Sequence, residues 1–177
     1  MDADPGRRPA VAHAVHQVGL PEQGAGHRDV LEALGHGEVE RLALANERIA
    51  HVVRSLESLF LRGGEKEGVT GKLAGRAAAL LGACGFDPDE VQRTLRWAYE
   101  VRSRYVHGNS LGKDVLRRIE SGAGGLVPLL YRCLEYNRAA LVAAVLARAD
   151  KPGLLRVLGN PRALAHAGAV YRAAHGG

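Results

Sequence analysis

Sulfur and aromatic side chains are scarce in this chain, with two cysteines, one methionine, one tryptophan, five tyrosines and two phenylalanines among 177 residues. Cys84 and Cys133 lie in apolar stretches, and neither has the CxxC or Cys/His spacing of a metal or redox centre. Both are expected to be buried free thiols rather than halves of a bridge. No apolar run reaches the length of a membrane span. The opening residues, Met1-Asp2-Ala3-Asp4-Pro5-Gly6-Arg7-Arg8, lack the apolar core and cleavage pattern of a signal peptide. The expectation is a cytoplasmic protein with no membrane attachment. Phosphate loops are missing as well, since Gly122-Ala123-Gly124-Gly125 has no Lys-Ser/Thr after it and no strand pattern before it. No serine nucleophile elbow and no carboxylate pair stands out. His13 and His16 are three residues apart but have no third ligand, so neither metal nor cofactor is expected.

What the chain does have is positive charge. Lys and Arg number 24 against 19 Asp and Glu, for a formal net charge of +5, and the sequence pI is about 9.6. Such a balance suits an acidic partner, and nucleic acid is the usual one. The joint richness in Ala, Gly and Arg can also come from coding composition, so charge alone leaves RNA binding open. A 46% hydrophobic and 24% charged composition is that of one globular domain.

Hydrophobic spacing predicts helices throughout, with no strand pattern and no internal repeat. Residues 1–28, rich in Pro, Gly, His and Arg, read as a flexible lead-in. A helix is expected to begin near Asp29 as N-cap and to resume after Gly35 and Gly37. From Glu38 to Leu61 its apolar positions recur at three- and four-residue spacing, and Gly63-Gly64 ends it. Thr70 is the expected cap of the next helix, whose apolar face holds Leu73, Ala77, Leu80 and Leu81. That helix closes at Gly82 and Gly85, with Phe86 turned back onto the core. Asp87-Pro88-Asp89-Glu90 is a strong helix start: an N-cap carboxylate, proline in the first turn, and acids at the positive end of the dipole. A short helix over 113–119 and a longer one over 126–149 follow. The longer one carries Leu129, Leu130, Cys133, Leu134, Leu141, Val145 and Leu146 on its apolar face. Asp150-Lys151-Pro152-Gly153 stops it, and residues 150–177 form a tail with short helices. The fold class is all-α, a bundle of about four to five main helices centred on residues 29–149.

The stretch Trp97-Ala98-Tyr99-Glu100-Val101-Arg102-Ser103-Arg104-Tyr105-Val106-His107-Gly108-Asn109 carries the chemistry. Arginine is a permanent cation shaped for phosphate, and histidine moves protons near neutral pH. Five helical residues separate Arg102 from His107, which sets the side chains about 140° apart. They converge only if the helix ends before Gly108 or a second copy completes the site. Each residue also has a plainer reading. Arg102 is placed to pair with Glu57, and His107 to sit at a helix C-terminus. Arg76, inside an apolar run, reads as structural, with Glu57 as its candidate partner. Trp97, Tyr99 and Tyr105 are candidates for base stacking or for core packing. Arg93, Arg96 and Arg104 form either a phosphate-binding stripe or a solvated face.

From Asp29 to Leu146 the pattern resembles the HEPN domain family, most closely its Apea-like branch. Three segments carry the resemblance. Residues 49–61, IAHVVRSLESLFL, look like the first core helix with its Leu-Glu pair, Leu56-Glu57. Residues 72–81, KLAGRAAALL, are similar to the second helix. Residues 99–108, YEVRSRYVHG, match the motif of Arg, four to six residues, His.

The resemblance implies an all-α homodimer in which two Arg/His motifs face one another and cut RNA without a metal. Arg102 would bind the scissile phosphate, and His107 would act as general base or acid. Products would carry 2′,3′-cyclic phosphate and 5′-hydroxyl ends. Ser103 follows the Arg where a polar residue is common, and it would orient phosphate or His107. Arg104 and Asn109 are further candidates for substrate contact. The implied setting is defence or toxin activity, with an inhibitory or activating protein partner. The rival reading is a non-catalytic module of the same family that binds RNA or a protein.

Overall fold

The computed structural model describes the backbone of residues 25–175 and the side chains from residue 40 onward; most of the lead-in of residues 1–28 therefore lies outside the described residues. Among those described, seven helices and no strand are found. They are α1 (Ala25–Phe60), α2 (Val69–Cys84), α3 (Pro88–Val106), α4 (Lys113–Ala123), α5 (Leu126–Leu146), α6 (Lys151–Leu158) and α7 (Pro161–His175). The all-α reading of the sequence holds.

Helix α1 begins four residues before Asp29 and runs unbroken through Gly35 and Gly37. Glycine inside a helix costs about 1 kcal/mol relative to alanine, which weakens the helix without ending it. Its inward face carries Ile49, Val52, Val53, Leu56 and Phe60. Helix α2 is capped by Gly68 in a left-handed conformation, φ 60°, and not by Thr70, which lies inside the first turn. At its other end Gly85, φ 108°, donates its N–H to the Gly82 carbonyl, and the Phe86 N–H reaches Leu81. Only glycine takes that φ without strain. The turn places the Phe86 ring edge-on to Tyr136 of α5, with centroids 5.6 Å apart.

Helix α3 starts as its sequence dictates. Asp87 accepts hydrogen bonds from the N–H groups of Asp89 and Glu90, at 2.9 and 3.4 Å, with Pro88 in the first turn. Its face of Val91, Leu95, Ala98 and Val101 packs between α1 and α2. Helix α5 packs against α1, and α7 lies along α2. Leu154 of α6 is buried in the common core.

Alanine lines much of the contact between helices. Ala74, Ala77 and Ala78 of α2 are buried, as are Ala139, Ala140, Ala143 and Ala144 of α5. At Gly168 of α7 a Cβ would run into the Ala83 backbone, so α7 meets α2 nearly backbone to backbone. The large side chains of α5 divide accordingly: Leu129, Leu130 and Cys133 are buried, but Leu134, Leu141, Val145 and Leu146 are exposed, contrary to the apolar face read from spacing.

Candidate functional site

Helix α3 carries the Arg/His motif and holds its two ends apart. Arg102 sits at the edge of the buried face and reaches α1, where its Nη2 donates to Glu57 Oε2 at 3.2 Å. Its Cζ lies 5.6 Å from the centre of the Tyr99 ring, a cation–π distance. The two charged side chains are 21% and 17% exposed, so the pair is well shielded. It is also monodentate, and Arg102 Nε is buried with no hydrogen-bond partner. Arginine normally offers a carboxylate a two-pronged fork; here one prong is engaged.

Arg76 does not share Glu57. It donates to both carboxylate oxygens of Glu65, at 2.7 and 2.8 Å, and to the Phe60 carbonyl at 2.7 Å. The loop after α1 folds back at Gly63-Gly64 and brings Glu65 to Arg76, a turn that helix spacing alone does not reveal. The Arg76 guanidinium, helped by the Arg62 N–H, holds the Glu65 carboxyl down at about 2.

His107 is the C-cap of α3, exposed, with its N–H donating to the Ser103 carbonyl at 3.2 Å. Gly108 then turns the chain with φ 67°. The Asn109 N–H returns to the Arg104 carbonyl at 2.8 Å. The Arg104 side chain ties the loop down through the Ser110 carbonyl, at 3.2 Å, and Glu100, at 3.4 Å. Ser103, Arg104, His107 and Asn109 are thus gathered at one turn. Arg102 is not among them: helical spacing puts it about 140° round α3 from His107, facing α1. The plainer reading of each residue is present in the folded chain, an ion pair for Arg102 and a helix end for His107.

Two depressions flank α3. One, of about 430 Å³, adjoins the Arg102 partners Glu57 and Tyr99 and is lined by Arg54, Arg62 and Lys151 as well. The other, of about 560 Å³, lies between α3 and α4 and is lined by Arg93, Arg96, Trp97, Glu100 and Arg118. Arg54, Arg62 and Lys151 were not singled out by sequence reasoning. They come from the end of α1, the loop after it and the start of α6, and only the fold brings them together. The chain matches no family model, no curated protein and no solved structure.

Both cysteines are free and buried. Burial pushes the Cys84 thiol up to about 11 and the Cys133 thiol up to about 12, the opposite of what a reactive thiolate needs. Among the described residues no group of three His, Cys, Asp or Glu side chains is arranged to hold a metal ion, and no helix is long and apolar enough to cross a membrane. At the α3 turn the structure places an exposed imidazole, His107, near the Arg104 guanidinium.

Proposed function

We propose that the protein is a HEPN-type RNA-cleaving domain that acts as a homodimer. The observation that carries this reading is the Glu57–Arg102 ion pair, because it joins two of the segments on which the resemblance rests, the Leu56-Glu57 pair and the Arg/His motif. Arg102 and His107 point apart in one chain, so a second copy supplies the missing half of each site. In the paired site His107 of one copy takes the proton from a ribose 2′-hydroxyl. That oxygen attacks phosphorus, and the bond to the 5′-oxygen breaks. His107 of the other copy protonates the leaving oxygen. Arg102 stabilises the charge that develops on the phosphoryl oxygens. The fitting setting is a cytoplasmic defence or toxin role under the control of a protein partner.

The same ion pair also favours a second reading. In a single chain the Arg102 charge is already offset by Glu57 and its side chain is only 21% exposed, which suits a module that binds RNA through its surface arginines and cuts nothing.

Mixed RNA incubated in EDTA with the wild type and with His107→Ala, followed by end-group analysis, separates the two. The expected result is cyclic-phosphate ends from the wild type alone. The imidazole is exposed and makes no hydrogen bond or ion pair among the described residues, so the variant keeps its melting temperature. Equal cleavage by the variant removes His107 from the mechanism. No cleavage by either protein, with RNA affinity that falls steeply with salt, selects the binding module.

A further inference from the structure

We infer that the groove between α3 and α4 is a docking track for single-stranded RNA, with a base laid against Trp97 and phosphates held by Arg93 and Arg96. The inference deepens the RNA reading above and rests on it for the class of ligand.

Some arginines of this part of the surface are already occupied. Arg118 of the groove and Arg104 beyond it both pair with the groove's Glu100, at 3.2 and 3.4 Å. Arg93 and Arg96 line the same groove and are exposed, and they have neither an ion-pair nor a hydrogen-bond partner among the described residues. Neither carboxylate of the lining makes an ion pair with them, although Asp89 stands one turn before Arg93 on α3. Glu100 is held between two arginines, and Asp89 lies in the first turn of α3, at the far end of the groove from the His107 turn.

Trp97 supplies the second, independent observation. It is half-buried against the core, and the outer edge of its ring comes so close to Gly122 of α4 that a Cβ there would run into it. Glycine at that position lets the indole lie on the neighbouring helix as a fixed wall of the groove. A rigid aromatic wall beside unoccupied guanidinium groups is the arrangement that binds single strands with little sequence preference: bases stack, and cations track the phosphates. Helical spacing also puts Arg93, Arg96, Glu100, Arg104 and His107 along one side of α3. The track therefore leads toward the exposed imidazole and away from Arg102.

Trp97 is the sole tryptophan of the chain, so its fluorescence reports on this groove alone. The experiment is a titration of the full chain with a 12-nucleotide 2′-O-methyl polyuridine strand, which lacks the hydroxyl that cleavage needs, followed by tryptophan emission, for the wild type and for a double variant, Arg93→Ala with Arg96→Ala. Both arginines are exposed and without partners, so the variant folds. The expected result is quenching of the wild type on binding and an affinity about 10-fold weaker in the variant. The slope of log K against log salt should also be shallower by about 1.4, because each single-strand phosphate that an arginine neutralises adds about 0.7 to it. Binding without quenching, and with unchanged affinity in the variant, overturns the groove and leaves the RNA reading standing. No binding by the wild type at low salt overturns both. Equal or stronger binding of an acidic peptide of matched charge overturns RNA as the occupant.

Discussion

Arg102 shows how one side chain can answer two descriptions. Its Nη2 on Glu57 was legible in the sequence as one alternative, since Glu57 and Arg102 sit on the apolar edges of two helices that must pack; its position over Tyr99 was not. Which acid Arg76 would take was not legible, because the deciding event is a loop reversal at Gly63-Gly64 and not a helix register. The Glu65–Arg76 fork carries a pH signature. With the Glu65 carboxyl at about 2 in place of the ordinary 4.5, the folded state binds its proton more weakly than the unfolded state does. The contribution to stability is whole above about pH 4.5 and is lost as pH falls toward 2. Glu65→Gln is therefore expected to be less stable than the wild type at pH 7, with the difference shrinking between pH 4.5 and 2. Urea denaturation at pH 7, 4 and 2 checks it, and a difference that stayed constant with pH would remove the carboxylate from the account.

At the scale of helices, the sequence was clearest where termini are made by local chemistry. The Asp87 cap with Pro88, and the left-handed Gly85, follow from their own few residues. It was least clear along α5, where two apolar registers compete. Ranking residues by hydrophobicity favours the leucines and valines, yet the bundle chose Ala139, Ala140, Ala143 and Ala144 for the inside, since closely packed helices leave room for methyl groups and little more. Leu134 at 42% and Val145 at 73% exposure lie on the solvent side. Two substitutions on this one helix should then behave very differently. Leu129→Ala, at a fully buried site, is expected to cost about 2–5 kcal/mol. Val145→Ser is expected to change stability by less than about 0.5 kcal/mol. Urea midpoints of the two variants test the register directly, and a large drop for Val145→Ser would mean that another surface covers it.

Across the whole molecule, one core draws on every helix, from Ile49 in α1 through Leu154 in α6 to the edge supplied by Leu164 and Tyr171 in α7. The cysteines report on its integrity. With Cys133 fully buried and Cys84 nearly so, and both thiols held near 12 and 11, a thiol reagent at pH 8 is expected to label neither in the native protein and both in denaturant. Labelling of Cys84 alone under native conditions would mean that α7 opens away from α2, since Tyr171 and Arg172 line the cavity beside Cys84. The alanine-lined contacts have a consequence of another kind, for how the chain tolerates mutation. Where methyl groups line a helix contact, the chain has little to lose by truncation and much to lose by addition. Every alanine codon is one base change away from valine, and each such change at Ala77 or Ala140 adds two methyl groups where the helices leave no space. Inherited variation along the alanine faces of α2 and α5 should therefore fail by crowding, whereas at large buried side chains such as Leu129 it should fail by cavities.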